Sequence, residues 1–236
     1  MKKSVKPVNI LEIAKNTTIN LDYHIFIDNL HFSRNINLFY AEEGEAVGKS
    51  FLMLYLAIKY LIENKDKEAI YFDIFDGEEI FTYRIKMLFK NFNLKEEDIK
   101  DIGERLFYFN RNSLYGNFDA TFLKKNKNTF VKDLMIFDPF VYIFDIDEAN
   151  ENETNKIVSF LKKLNKIIFL THYSQNNQVR NIRENIFDCV YQVKRIDEFK
   201  DSNILDLSLD LKYCRYENKD KFVKDLMEKK IKINLK

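Results

Sequence analysis

Gly48, Lys49 and Ser50 stand where an apolar run, residues 36–41, gives way to a periodic one, FLMLYLAIKYL, starting at Phe51. A lysine and a hydroxyl at the first turn of a helix, reached from a strand through a glycine-containing loop, are groups that grip phosphate. Free backbone amides and the positive end of the helix attract anions there. Lys49 would reach the β- and γ-phosphates of a nucleotide, and the Ser50 hydroxyl would sit on a magnesium ion. The contact stretch is Gly44, Glu45, Ala46, Val47, Gly48, Lys49, Ser50 and Phe51. The full pattern, G-x-x-x-x-G-K-[ST], asks for glycine where this chain has Glu43, with Gly44 one place late and Ala46 where a second loop glycine is common. The plainer reading is an N-cap, with Ser50 satisfying free amides.

A magnesium shell also needs a carboxylate at the tip of a neighbouring strand. Asp138 fits, since four apolar residues precede it and Pro139 ends the run. Asp before Pro is also a common turn pair. Hydrolysis would further need a carboxylate that orients water. Asp76, Glu78 and Glu79 follow one apolar run, and Asp145, Asp147 and Glu148 follow another; spacing alone places none of them. His172 ends a third run, where it could sense the γ-phosphate or be structural. Arg180, Arg183, Lys212 and Arg215 are candidates to reach a neighbouring subunit's nucleotide, and the plainer reading of any single one is a surface cation.

The elements that must position these residues follow from periodicity. Strands are expected at residues 36–41, 69–75, 106–110, 133–137 and 166–170, with helices over 49–63, 79–89 and 155–164. Residues 189–196 and 205–213 alternate and read as a late antiparallel pair. A short helix near 10–14, a short strand at 24–27 and a basic helix over 219–230 complete the pattern. The fold class is α/β, a mainly parallel central sheet flanked by helices with a C-terminal antiparallel hairpin. The organisation is a lead-in at 1–34, a core at 35–217 and a basic tail at 218–236.

The 236 residues, 46% hydrophobic, suit one sizeable domain. A net charge of +1 provides no global basic field, so nucleic acid would have to be met by local patches. Two cysteines, Cys189 and Cys214, make no disulfide framework and fit a reducing, cytoplasmic compartment. The first residues carry no apolar core of a secretory signal, and LMIFDPFVYIF is too short to span a bilayer, so no membrane partner is expected.

The order of segments resembles RecA-like P-loop ATPases of the DnaB, RadA and RepA type, most closely the plasmid-replication RepA subgroup. EEGEAVGKSFLMLYLA resembles that group's Walker A segment, AIYFDIFDGEE its second strand and DLMIFDPF its Walker B segment. DEANENETNKIVSFLKKL followed by IIFLTHYS resembles its acidic loop, helix and histidine-bearing strand, and LDLSLDLKYCRYEN its terminal strand. The resemblance runs from about Asp22 to Glu217. It implies ATP and Mg2+ as cofactors, Asp138 as the Walker B acid and His172 as the γ-phosphate sensor. It implies Arg180 or Arg183, with Lys212 or Arg215, acting across a subunit interface. It also implies a homo-oligomeric ring, usually a hexamer, that moves on single-stranded DNA in a plasmid or mobile element. Loops at 149–155 and 174–183 would face its channel.

Three departures bear on catalysis. Phe75 stands where the family carries its catalytic glutamate, leaving Asp76 or Glu78 to substitute. Thr171-His172 replaces a His-His pair, and Lys212-x-x-Arg215 replaces Lys-x-Arg. The alternative is therefore a nucleotide-binding switch or assembly factor of the same fold with weak or no hydrolysis.

Overall fold

The computed structural model describes residues 24–28, 30–41, 47–113, 118–146, 151–173, 184–196, 204–215 and 229–234. Ten strands are described: β1 (His24–Ile27), β2 (Leu30–Ser33), β3 (Ile36–Ala41), β4 (Ala69–Asp73), β5 (Leu106–Asn110), β6 (Leu134–Asp138), β7 (Ile167–Tyr173), β8 (Cys189–Arg195), β9 (Ile204–Cys214) and β10 (Lys229–Asn234). The helices are α1 (Lys49–Glu63), α2 (Gly77–Asn91), α3 (Glu96–Arg105), α4 (Ala120–Lys125), α5 (Lys127–Phe130), α6 (Phe140–Ile143) and α7 (Glu151–Lys162).

Eight strands form one sheet in the order β10-β9-β8-β3-β7-β6-β4-β5. From β8 to β5 the pairings are parallel. The β8–β9 and β9–β10 pairings are antiparallel. Continuous apolar strands such as INLFYA and LMIFD are what a sheet covered on both faces requires. Alternation then divides the side chains. Phe39, Ile136 and Phe169 join α1, α2 and α3 in one core, while Leu38, Phe137 and Leu170 join α6 and α7 in the other. The α/β class, the mainly parallel sheet and its antiparallel C-terminal extension match the expectation.

Two ends differ from the sequence reading. The expected lead-in contributes a β1–β2 hairpin whose Ile27, Leu30 and Phe32 are buried in the α1 core, and Asp28 pairs with Lys59 at 2.9 Å. The expected basic helix over 219–230 lies mostly outside the described residues. Its last two positions open β10, where Ile231 and Ile233 point into the core between exposed Lys230 and Lys232. That period of two is a strand signal hidden in a basic run. The late pair is thus a three-stranded extension of the sheet. Cys189 and Cys214 face each other across β8–β9 with their sulfurs 3.0 Å apart. The expected helix near 10–14 lies outside the described residues.

Candidate functional site

The carboxyl ends of β3, β6, β7 and β4 line up at one edge of the sheet, where ligands bind in open α/β folds. β7 lies between β3 and β6, so the α1 start, the β7 tip and the β6 tip are neighbours. Gly48 is the N-cap of α1, in the left-handed region at φ 91°, with no side chain to cap the helix. A Cβ there would stand 2.7 Å from a Leu205 methyl of β9, which would have to move aside, and the left-handed backbone is what calls for glycine. The first-turn amides are therefore left to an incoming anion.

Lys49 and Ser50 are buried at the α1 start, and Asp138 is buried at the β6 tip. Burial pulls the Lys49 ammonium down to about 8, and the nearby Asp138 charge offsets part of that. The lysine and the strand-tip acid thus share one site. His172 is 1% exposed at the end of β7, its ring centroid 6.1 Å from that of Phe140. Its Nδ1 has no hydrogen-bond partner. Burial, with the Lys49 charge behind it, pushes the imidazole down to about 4. A neutral histidine with an orphaned nitrogen, a buried lysine beside Asp138 and an uncapped helix start fit a magnesium–nucleotide. Among the described residues no group of three or more His, Cys, Asp or Glu forms a protein-only metal cage. A magnesium ion held by one hydroxyl, one carboxylate and the ligand's own phosphates needs none.

The described carboxylates among those expected to activate water pair with cations or face solvent. Phe75 projects into solvent and meets Tyr142 edge-on at 5.2 Å. Asp76 is held by the Arg84 guanidinium, which lies 5.4 Å from the Phe51 ring. Glu78 and Glu79 are exposed on the first turn of α2, and Asp145 is exposed with Arg111 4.0 Å away. Lys212 pairs with Asp210 at 3.5 Å, and Arg215 lies 3.6 Å from Asp188 and donates to the Asn185 carbonyl. Cys214 is opposite Cys189 at the start of β8, so Arg215 sits toward the end of the sheet away from α1's start, while Lys212, at the bulge opposite Val190 and Tyr191, lies level with the middle of β3. Gly44, Glu45, Ala46, Asp147, Glu148, Arg180 and Arg183 lie outside the described residues, as do loop positions 149–150 and 174–183.

Sequence reasoning missed Asp73. It ends β4 directly beside Asp138, accepts the amides of Phe75, Asp76 and Gly77 at 3.0–3.3 Å, and accepts the Tyr108 hydroxyl at 2.8 Å. It fixes the turn into α2. The signal was present, since Asp73 is the acid inside YFDIFDGEE. Tyr71, Thr171 and Arg84, also missed, carry no local signature, because each matters only through strand or helix neighbours distant in sequence.

One consequence concerns acid. The unfolded chain protonates His172 near its ordinary 6.5, while the folded chain resists until about 4. Protons bind preferentially to the unfolded state across that window, so stability falls as pH drops from about 6.5 to 4. His172→Gln should remove this component, of the order of 3 kcal/mol at full effect. Denaturant midpoints measured at pH 7 and pH 4.5 should therefore diverge less in the variant; equal divergence would show that His172 titrates normally.

No protein-family model matches the chain. Two of the solved structures that share the architecture illustrate it. One is the flagellar accessory protein FlaH from Methanocaldococcus jannaschii, with a TM-score of 0.52 and 19% identity over 77% of this chain and 79% of that one. The other is the KaiC-like protein PH0186 from Pyrococcus horikoshii, with a TM-score of 0.52 and 11% identity over the same shares. At these identities the likeness is one of fold. It supports the RecA-like arrangement and does not extend to the DnaB, RadA or RepA subgroup.

Proposed function

We propose that the chain binds ATP with Mg2+ at the β3–α1 junction and acts as a RecA-like ATPase. The observation that carries this reading is the convergence of Lys49, Asp138 and His172, all buried, at the strand tips beside an uncapped helix start. Lys49 would meet the β- and γ-phosphates and the α1 amides would cradle them. Ser50 and Asp138 would hold the metal shell, and His172 Nδ1 would face the γ-phosphate end. Magnesium, when bound with the triphosphate, neutralises charge on the phosphate oxygens. In the complex the phosphates would add negative charge beside the buried Lys49 ammonium.

A second reading has its own observation. The water-activating position holds exposed Phe75, and the nearest alternative, Asp76, is occupied by Arg84. This favours a protein that holds ATP and turns it over slowly, a switch or assembly factor. A homo-oligomeric ring on single-stranded DNA, serving a plasmid or mobile element in a cytoplasmic setting, is the finer proposal and rests on segment order alone. No helix among the described residues is long and apolar enough to cross a membrane.

Fluorescent ATP titrated into the protein with Mg2+ should show saturable binding that unlabelled ATP displaces. Turnover, measured beside it with and without single-stranded DNA, separates the two readings. Absence of any nucleotide binding would remove both.

A further inference from the structure

Asp138 is held from both sides. β6 is flanked by β4 and β7, and each neighbour sends one hydroxyl to the β6 tip. Tyr71 of β4 donates to Oδ2 and Thr171 of β7 donates to Oδ1. All three residues are at most 3% exposed. Alternation along the strands makes this convergence. Tyr71, Ile136 and Phe169 all face α1, so Asp138 and Thr171, two residues on from the last two, face it as well.

We propose that Tyr71 and Thr171 are positioning residues that fix the Asp138 carboxylate for a magnesium–nucleotide, a role that rests on the site reading above. A buried carboxylate without donors is costly and tends to neutralise. Two hydroxyl donors satisfy both of its oxygens and fix its orientation. Each oxygen retains acceptor capacity for a metal-bound water, since an ionised carboxylate offers about four lone-pair sites.

The donors are themselves held. The Tyr71 ring packs 5.6 Å from Phe81 within the α1 core. Thr171 is β-branched, fully buried and therefore stiff about its first torsion. The contrast with Asp73 separates positioning from scaffolding. Asp73 spends its oxygens on backbone amides that start α2. Among the described hydrogen bonds, those to Asp138 come only from side-chain hydroxyls. The pair thus orients an acid that caps no helix.

The test is the Mg2+ dependence of fluorescent-ATP binding, with affinity in excess chelator as the metal-free reference. Tyr71→Phe and Thr171→Val should each raise the half-saturating Mg2+ concentration about tenfold, the low end of what loss of a supporting group costs a metal site. Metal-free affinity should stay within about twofold, and Thr171→Ser should restore the wild-type value. A purely structural role would move the melting temperature and leave the Mg2+ midpoint in place. Wild-type Mg2+ midpoints for Tyr71→Phe and Thr171→Val, beside a shifted Asp138→Asn, would overturn the positioning role alone. An unshifted Asp138→Asn would overturn the site reading and this role together.

Discussion

Replacing Lys49 by methionine abolishes tight ATP binding while leaving the empty protein folded and no less stable. The amine is buried at the α1 start, and burial drags it down to about 8. Between about pH 8 and 10.5 the unfolded chain holds a proton that the folded chain has given up. Stability therefore rises with pH across that window, and at pH 7 the folded state bears the cost of a charged, desolvated lysine. Methionine removes that cost, of the order of 3 kcal/mol, against which loss of the countercharge to Asp138 must be set. For the ligand the sign is opposite. Contacts from an ammonium to phosphate are each of the order of 1.5–3 kcal/mol, so affinity should fall about a hundredfold or more. Wild-type affinity should also weaken as pH rises above about 8, because the empty protein then loses the proton that the complex needs. Melting curves and nucleotide titrations at pH 7 and pH 9 measure both effects. Undiminished binding by the methionine variant would remove Lys49 from the site.

How much of this was legible in the sequence depends on how local each signal is. The β3–α1 junction announces itself, because apolar content changes from a continuous run to a helical period across Gly48-Lys49-Ser50. Asp138 was legible for the same reason, as a polar residue ending an apolar strand just before proline. The hydroxyls that hold it were not. Tyr71 lies 67 residues before Asp138 and Thr171 lies 33 after it, and only the strand order makes them neighbours. Arg84 read as one more helix cation, since its partner Asp76 is at the helix start eight residues away. β10 was masked by charge, because four basic or polar residues surround the two isoleucines that do the packing. Lys212 and Arg215 were read for a role between subunits; within one chain their charges are met by Asp210 and Asp188.

Phe75→Glu should raise ATP turnover by about a hundredfold, the low end of what a positioned general base contributes. The chain already carries the surroundings such a base needs. Asp73 accepts the residue 75, 76 and 77 amides and so fixes the turn on which position 75 stands. That turn follows β4, whose last residue pairs with Asp138. Phe75 is 59% exposed, so a carboxylate there keeps its water shell and the substitution costs the fold little beyond the ring pair with Tyr142, of the order of 1 kcal/mol. Asp76 cannot serve without releasing Arg84, and that release would leave a guanidinium beside Phe51 without its partner. Phe75→Gln is the control, because it matches glutamate in size and hydrogen bonding but cannot take a proton. Turnover should rise in the glutamate variant alone, with ATP affinity unchanged in all three proteins. Equal turnover by the wild type and Phe75→Glu, both saturated with ATP and Mg2+, would mean that water is activated elsewhere or that the step limiting this fold is not proton removal from water.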